Sequence, residues 1–228
     1  KHRKKFIEEL IDLKNEIEKK IILSSSFEMQ VIEKQKEIEK QIIVLKAVAE
    51  VLNVKRSKAL PKIKLLLEKH LQQLGMPHAT FKVVLTKTDQ FYQNGNTTIS
   101  FLFSANKGSA LQEVAKVASG GELSRLMLAI KYIVAQFSKV NILVFDEIDT
   151  GVSGEIASLM GEMMLNISKD SQLISISHLP QIASKANNHF KVVKRIVSGN
   201  TVSDIIVLNR QQRVEEIAKL LSGKKLTK

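Results

Sequence analysis

Ile142-Leu143-Val144-Phe145-Asp146-Glu147-Ile148-Asp149-Thr150-Gly151-Val152-Ser153-Gly154 runs from four apolar residues straight into an acidic loop. A short apolar run bounded by turn residues reads as a buried strand. Its end delivers two adjacent carboxylates at the edge where open α/β sheets bind ligands. Asp146 stands where a carboxylate holds magnesium, usually through water, and Glu147 where one orients or deprotonates an attacking water. A strand that merely ends in acidic loop residues has the same local look. Asp149-Thr150-Gly151 continue the loop, and Ser153 is placed to cap the next helix.

The pattern extends on both sides. Downstream, residues 155–167 read as a helix. Leu173-Ile174-Ser175-Ile176-Ser177 reads as a second strand, ending in His178-Leu179-Pro180. A histidine there can reach a terminal phosphate or the attacking water; a lone strand-end histidine also serves structure. Upstream, Ser119-Gly120-Gly121-Glu122-Leu123-Ser124-Arg125 opens a helix expected over residues 121–137. Two glycines let backbone amides approach a ligand closely, and the positive end of a helix favours an anion. Ser119 and Glu122 also have the S-x-x-E spacing of a capping box, a purely structural role. Strands alternating with helices predict an α/β layer with a largely parallel core sheet. Further strands are expected at 81–86, 98–103, 190–196 and 202–208, with a turn at Gln93-Asn94-Gly95-Asn96. A short helix is expected at 180–185 and a final one at 214–221.

Before Gly75 the sequence changes character. Residues 1–74 hold one proline and no glycine. Phe6, Leu10, Leu13 and Ile17 follow 4-3-4 spacing. Val31, Ile38, Leu45 and Leu52 then recur every seventh residue, broadened by Ile42 and Ala49. This is amphipathic helix with heptad character. Ser24-Ser25-Ser26 predicts a break between two helical pieces, and Pro61 a kink. A single helix with such a stripe leaves it wet and calls for a partner helix; a compact helical bundle is the alternative. Gly75-Met76-Pro77 ends the helix, giving an arm over 1–75 and an α/β lobe over 76–228.

Apolar content of 44% and charged content of 25% fit a soluble globular chain. There is no cysteine, which excludes disulfides and thiolate metal sites. No run approaches the ~20 apolar residues of a membrane span. No signal-type apolar core follows the basic start Lys1–Lys5, and a start without methionine is what a piece of a longer protein predicts. The net charge is +12, spread evenly: 17 basic against 11 acidic side chains in residues 1–75, 18 against 12 in the rest. Such an excess favours polyanions such as DNA, though it also suits a merely soluble basic protein.

Order and spacing sharpen these signals. A glycine-rich helix start, an acid-tipped strand about 25 residues on and a His-tipped strand about 30 further resemble the second half of an ABC ATPase. Longer strings are more specific. Val117-Ala118-Ser119-Gly120-Gly121-Glu122-Leu123-Ser124-Arg125, the stretch Phe145 to Gly154, and Ser177-His178-Leu179-Pro180-Gln181-Ile182-Ala183 resemble the RecN type of DNA-repair ATPase. So do Gly75 to Phe81, Phe101 to Asn106 and Arg213 to Ala218. The likeness covers roughly residues 60–228; the arm matches only in character. In that family's terms Ser119, Gly120, Gly121 and Glu122 form the signature motif and Asp146-Glu147 the Walker B pair. Asp149, Thr150 and Gly151 form the D-loop, and His178 the H-loop. The phosphate-binding G-x-x-x-x-G-K-[ST] does not occur; Gly223-Lys224-Lys225 lacks both the first glycine and the Ser/Thr.

The resemblance therefore implies an α/β fold: the C-terminal lobe of an ABC/SMC-like ATPase head with an N-terminal arm from an antiparallel coiled coil. It implies ATP and magnesium as cofactors, with catalytic roles for Glu147 and His178 and magnesium held by Asp146. Two whole heads would sandwich two ATP molecules as a head-to-head homodimer, the signature Ser119-Gly120-Gly121 serving the partner's nucleotide. Expected partners are the N-terminal lobe of the same protein, DNA and a RecA-type recombinase, with no membrane. The expected place is the cytoplasm, on the nucleoid. The isolated chain is expected not to turn over ATP. Two other classes compete. Against another SMC-like chromosome ATPase stand Ser177-His178-Leu179-Pro180 and the lack of a Cys-x-x-Cys hook. Against a non-enzymatic coiled-coil scaffold stands the retention of both Asp146 and Glu147.

Overall fold

The computed structural model describes residues 7–117, 119–197 and 200–222. The basic start Lys1–Lys5, Phe6, Ala118 and Gly223-Lys224-Lys225 lie outside them. The chain divides into two compact units. One holds the residues up to Lys58 together with Lys87–Thr97; the other holds Ala59–Thr86 together with Thr98 onward. Gly75, expected as the boundary, falls inside the second unit.

Helix α1 spans Ile7–Gln73 without interruption. The break expected at Ser24-Ser25-Ser26 is absent. Ser25 and Ser26 donate their hydroxyls to the carbonyls of Ile22 and Leu23, both at 2.9 Å, so the serines bond back onto their own helix instead of ending it. The chain also stays helical through Pro61. In the first unit, Lys20 pairs with Glu16 at 2.6 Å and Lys34 with Glu37 at 2.7 Å. Such pairs are worth about 0.2–0.5 kcal/mol each. The seam residues Val31, Ile38 and Leu45 are exposed. Only near Ala49 and Asn53 does the helix bury side chains in this unit. Buried Thr97 donates to Asn53 Oδ1, and Asn53 Nδ2 donates to Asn96 Oδ1 at 3.0 Å. Arg56 donates to the Asn94 carbonyl at 2.7 Å. Buried polar groups need such partners.

In the second unit, α1 ends in a Schellman motif. Met76 N donates to Leu71 O at 2.9 Å and Gly75 N to Gln72 O at 3.0 Å, with Gly75 at φ 75°. Strands β1 (Thr80–Tyr92) and β2 (Gly95–Ser104) follow, with their Lys87–Thr97 end counted in the first unit, and β2 pairs antiparallel with the short β3 (Gln112–Glu113). Next come α2 (Gly120–Phe137), β4 (Ile142–Asp146), α3 (Gly154–Ile167), β5 (Gln172–Ile176) and α4 (Pro180–Ala183). Strands β6 (Phe190–Val197) and β7 (Asn200–Val207) and helix α5 (Arg210–Ser222) complete the unit.

The expectation of a largely parallel sheet needs correction. Among the described residues only β4 and β5 pair in parallel, Ile142 opposite Gln172 through Asp146 opposite Ile176. They are joined through a helix, α3, long enough for a parallel return. Just two residues separate β1 from β2 and β6 from β7, and so short a connection reverses the chain; β6–β7 is antiparallel, Phe190 opposite Val207. One core joins Leu67, Leu71, Leu74, Phe81 and Phe103 to Leu126, Leu128, Leu143, Phe145, Met160 and Met164.

Candidate functional site

The parallel register of β4 and β5 aligns their C-terminal ends. Glu147 N donates to Ile176 O at 3.0 Å, carrying the ladder one residue past Asp146. Asp146-Glu147 and Ser177-His178 therefore leave the pair at one edge. Asp146, Glu147 and His178 are exposed. Glu147 is the one described non-glycine residue with positive φ, 48°. A left-handed backbone costs a non-glycine residue roughly 1–2 kcal/mol. The conformation persists because the loop holds it: the Glu147 carbonyl accepts from Thr150 N at 3.1 Å and Thr150 Oγ1 at 2.8 Å.

The third acid behaves differently. Asp149 is 1% exposed. Its Oδ2 accepts from Ser177 Oγ at 2.5 Å, while Oδ1 is buried without a partner. Ser177 Oγ also accepts from Leu179 N at 3.0 Å. Asp149 O accepts from Val152 N at 3.1 Å, closing the turn that leads to Gly151 at φ 75°.

That turn meets the start of α2. A Cβ on Gly121 would stand 2.7 Å from the Gly151 carbonyl oxygen, so no side chain fits there without moving backbone. A Cβ on Gly120 would meet nothing within 4 Å, which leaves this amide edge open to a ligand. The first amides of a helix have no partner within it. Ser119 is the N-cap, and its Oγ accepts from Glu122 N at a long 3.5 Å. The Glu122 carboxylate does not reach back to Ser119; it accepts from Asn106 Nδ2, also at 3.5 Å. Only half of the capping box is made. Arg125 anchors the corner, donating to Gly121 O and to Leu74 O, each at 3.1 Å. Ser153 occupies the N-cap of α3 but makes no side-chain capping bond.

The structure thus joins the glycine-rich helix start to Asp149-Thr150-Gly151, and that loop to the residue before His178. The Gly121–Gly151 contact, the burial of Asp149 and the Arg125 anchor leave no direct mark in the sequence. The glycines themselves were the available signal for close backbone approach. Magnesium suits the exposed acids: it takes oxygen donors, and at phosphate sites needs only one or two carboxylates beside water and phosphate. No group of three or more His, Cys, Asp or Glu that could hold a metal occurs among the described residues, and such a site does not require one. No described helix is long and apolar enough to cross a membrane.

Two solved structures share the fold. The SMC head domain with a coiled coil and joint from Pyrococcus yayanosii matches 94% of this chain and 42% of its own length, with a TM-score of 0.61 at 16% identity. The SMC head with an extended coiled coil from Pyrococcus furiosus, bound to the C-terminal domain of ScpA, matches 95% and 51%, with a TM-score of 0.55 at 19% identity. An α/β lobe with a glycine-rich helix start, an acid-tipped strand and a helical arm has the fold of SMC head domains. No family model matches the sequence. Its curated relatives are proteins named DNA repair protein RecN: 34% identical over 222 residues in Haemophilus influenzae, covering 97% of this chain and 39% of that one, and 34% over 226 residues in Rickettsia bellii, covering 98% and 40%. A third, from Halalkalibacterium halodurans, is 39% identical over 165 residues, covering 71% and 29%. The chain belongs to the RecN family of SMC-like proteins and spans about a third of the length of these relatives.

Proposed function

We propose that this chain is the C-terminal lobe and descending arm of a RecN-like ATPase of DNA double-strand break repair and recombination. The observation that carries the reading is the one strand edge at which a strained Glu147, an exposed Asp146 and an exposed His178 emerge, with the open helix start packed against the loop that follows. A second observation supports a missing lobe. The β4–β5 pair buries Leu143 and Phe145 on one face and leaves Ile142, Val144, Ile174 and Ile176 exposed on the other. On β6–β7, cross-strand pairs Phe190–Val207 and Val192–Ile205 are also exposed. Contiguous apolar faces of this kind mark interaction surfaces. The occupant we assign is the N-terminal lobe of the same protein, within the length that the relatives have and this chain lacks.

Bound ATP and magnesium would supply the phosphoryl group and the charge that offsets its negative oxygens. Asp146 would hold the ion through water, and Glu147 would orient or deprotonate the attacking water. His178 would contact the terminal phosphate, and the P-loop would come from outside this chain. Ser119, Gly120, Gly121 and Glu122 would serve the nucleotide of a second head, with Asp149-Thr150-Gly151 alongside, so hydrolysis would require a head-to-head homodimer. The positive charge supports DNA as a partner; the family supports a RecA-type recombinase and a place in the cytoplasm, on the nucleoid.

The test is the full-length parent with Glu147→Gln. It should bind ATP as before and hydrolyse it at least ~100-fold more slowly, since a positioned base is typically worth 10²–10⁴. The lobe alone should not hydrolyse ATP. Equal loss of binding and turnover would make Glu147 structural and sink the reading.

A further inference from the structure

We propose that Asp149 and Ser177 form a clasp that positions His178 and ties it to the start of α2. The proposal rests on the ATPase reading and deepens it. Three acids stand within residues 146–149, and two face solvent. The third, Asp149, is almost wholly buried and leaves one carboxylate oxygen without a donor. Burying a carboxylate is costly unless it is well bonded, so its inward position needs a reason.

The hydroxyl of Ser177 supplies one. It carries a single proton, and donating it to Asp149 Oδ2 at 2.5 Å fixes the orientation of the group. The oxygen's lone pairs then accept from Leu179 N at 3.0 Å. His178 lies between Ser177 and Leu179, so one hydroxyl grips the backbone on both sides of the histidine. Without Asp149 the hydroxyl is free to rotate, and the grip loosens. On the other side, Asp149 O closes the turn to Val152, and Gly151 within that turn packs against Gly121. The contacts run unbroken from Gly121 through Gly151, Asp149 and Ser177 to His178. A displacement of the helix start is passed to the histidine through packed atoms, and Asp149 is the positioning residue of that link.

In the full-length parent, Ser177→Ala should lower kcat for ATP at least ~10-fold while KM changes less than about threefold, because misplacing a positioned group by ~1 Å can cost up to 10²-fold. Ser177→Thr keeps a hydroxyl and should stay within about threefold of wild type. Ser177→Ala combined with Asp149→Ala should be no worse than either alone, as for two halves of one contact. Hydrogen–deuterium exchange should quicken over residues 177–183 in Ser177→Ala at an unchanged melting temperature. Unchanged kcat and exchange, additive losses, or a kcat loss that tracks melting temperature and is not restored by threonine would overturn the clasp. If Ser177→Ala does not fold, the serine-to-threonine variant decides: a tenfold kcat loss in it overturns the clasp. A wild-type parent without ATP turnover would instead sink the ATPase reading, and the exchange measurement would still decide the clasp.

Discussion

The corner around Gly121, Gly151 and Asp149 and the β6–β7 ribbon belong to the same compact unit but are finished to different degrees. In the corner, backbone approaches backbone within van der Waals contact and a buried carboxylate has its hydroxyl partner. In the ribbon, Phe190, Val192 and Ile205 are 61%, 63% and 71% exposed. Both regions are rich in structure-forming residues. A two-stranded ribbon alone is at best marginally stable in water. The corner makes its contacts within this chain; the ribbon, the wet face of β4–β5 and the seam of α1 leave apolar side chains exposed, the faces we assign to the rest of the parent protein.

The comparison is tested by asking where a substitution costs stability. The largest effect should come from the finished core beneath the corner. Leu71 is fully buried, and Leu71→Ala should lower the unfolding free energy by roughly 2–5 kcal/mol. Urea titration should give similar losses in this chain and in the full-length parent. A loss of this size in the parent alone would mean that the core is completed elsewhere.

Paired Val192→Ser and Ile205→Ser should behave in the opposite way. In this chain the change should stay within about 0.5 kcal/mol per site, as for surface positions. In the parent it should cost about 1.5–3 kcal/mol per side chain that becomes buried. Pull-down of the separately produced remainder of the parent by this chain should weaken in parallel. Equal effects in both settings would end the distinction between finished and unfinished regions.

The smallest effect concerns His189, at the entry to the ribbon. Partial burial lowers its pKa below the usual ~6.5, and nearby Arg213 and Lys191 lower it further while Glu216 opposes them. The folded state therefore prefers the neutral ring. The associated stability is fully present above about pH 6.5 and is lost as pH falls below that, because the unfolded chain takes up the proton first. His189→Gln should flatten the fall in urea midpoint between pH 7 and 5. An unchanged slope would remove His189 from the account.

Much of the fold was legible because its signals are local. The expected helix over 121–137 is found at Gly120–Phe137, and the strand at 142–145 as Ile142–Asp146. Gly75 ends α1 as its φ requires. The break expected at Ser24-Ser25-Ser26 does not form because Ser25 and Ser26 bond carbonyls three residues back in the same helix, a choice the sequence does not reveal. The strands form separate small sheets, and alternating elements do not show which strands share a sheet. The placement of exposed acids at a strand end was visible in the order of residues; which of Asp146, Glu147 and Asp149 turns inward was not.

The sequence by itself determined the elements, the glycine positions, the charge and the family, since each rests on periodicity, turn chemistry or matched strings of residues. Tertiary structure alone decided that Gly121 lies on Gly151, that Asp149 is buried against Ser177, and that Glu147 is held in a left-handed backbone. Those outcomes join residues about 30 positions apart. They depend on the parallel pairing of β4 with β5 and on the packing of α2 against α3, and not on any local preference of the residues that meet.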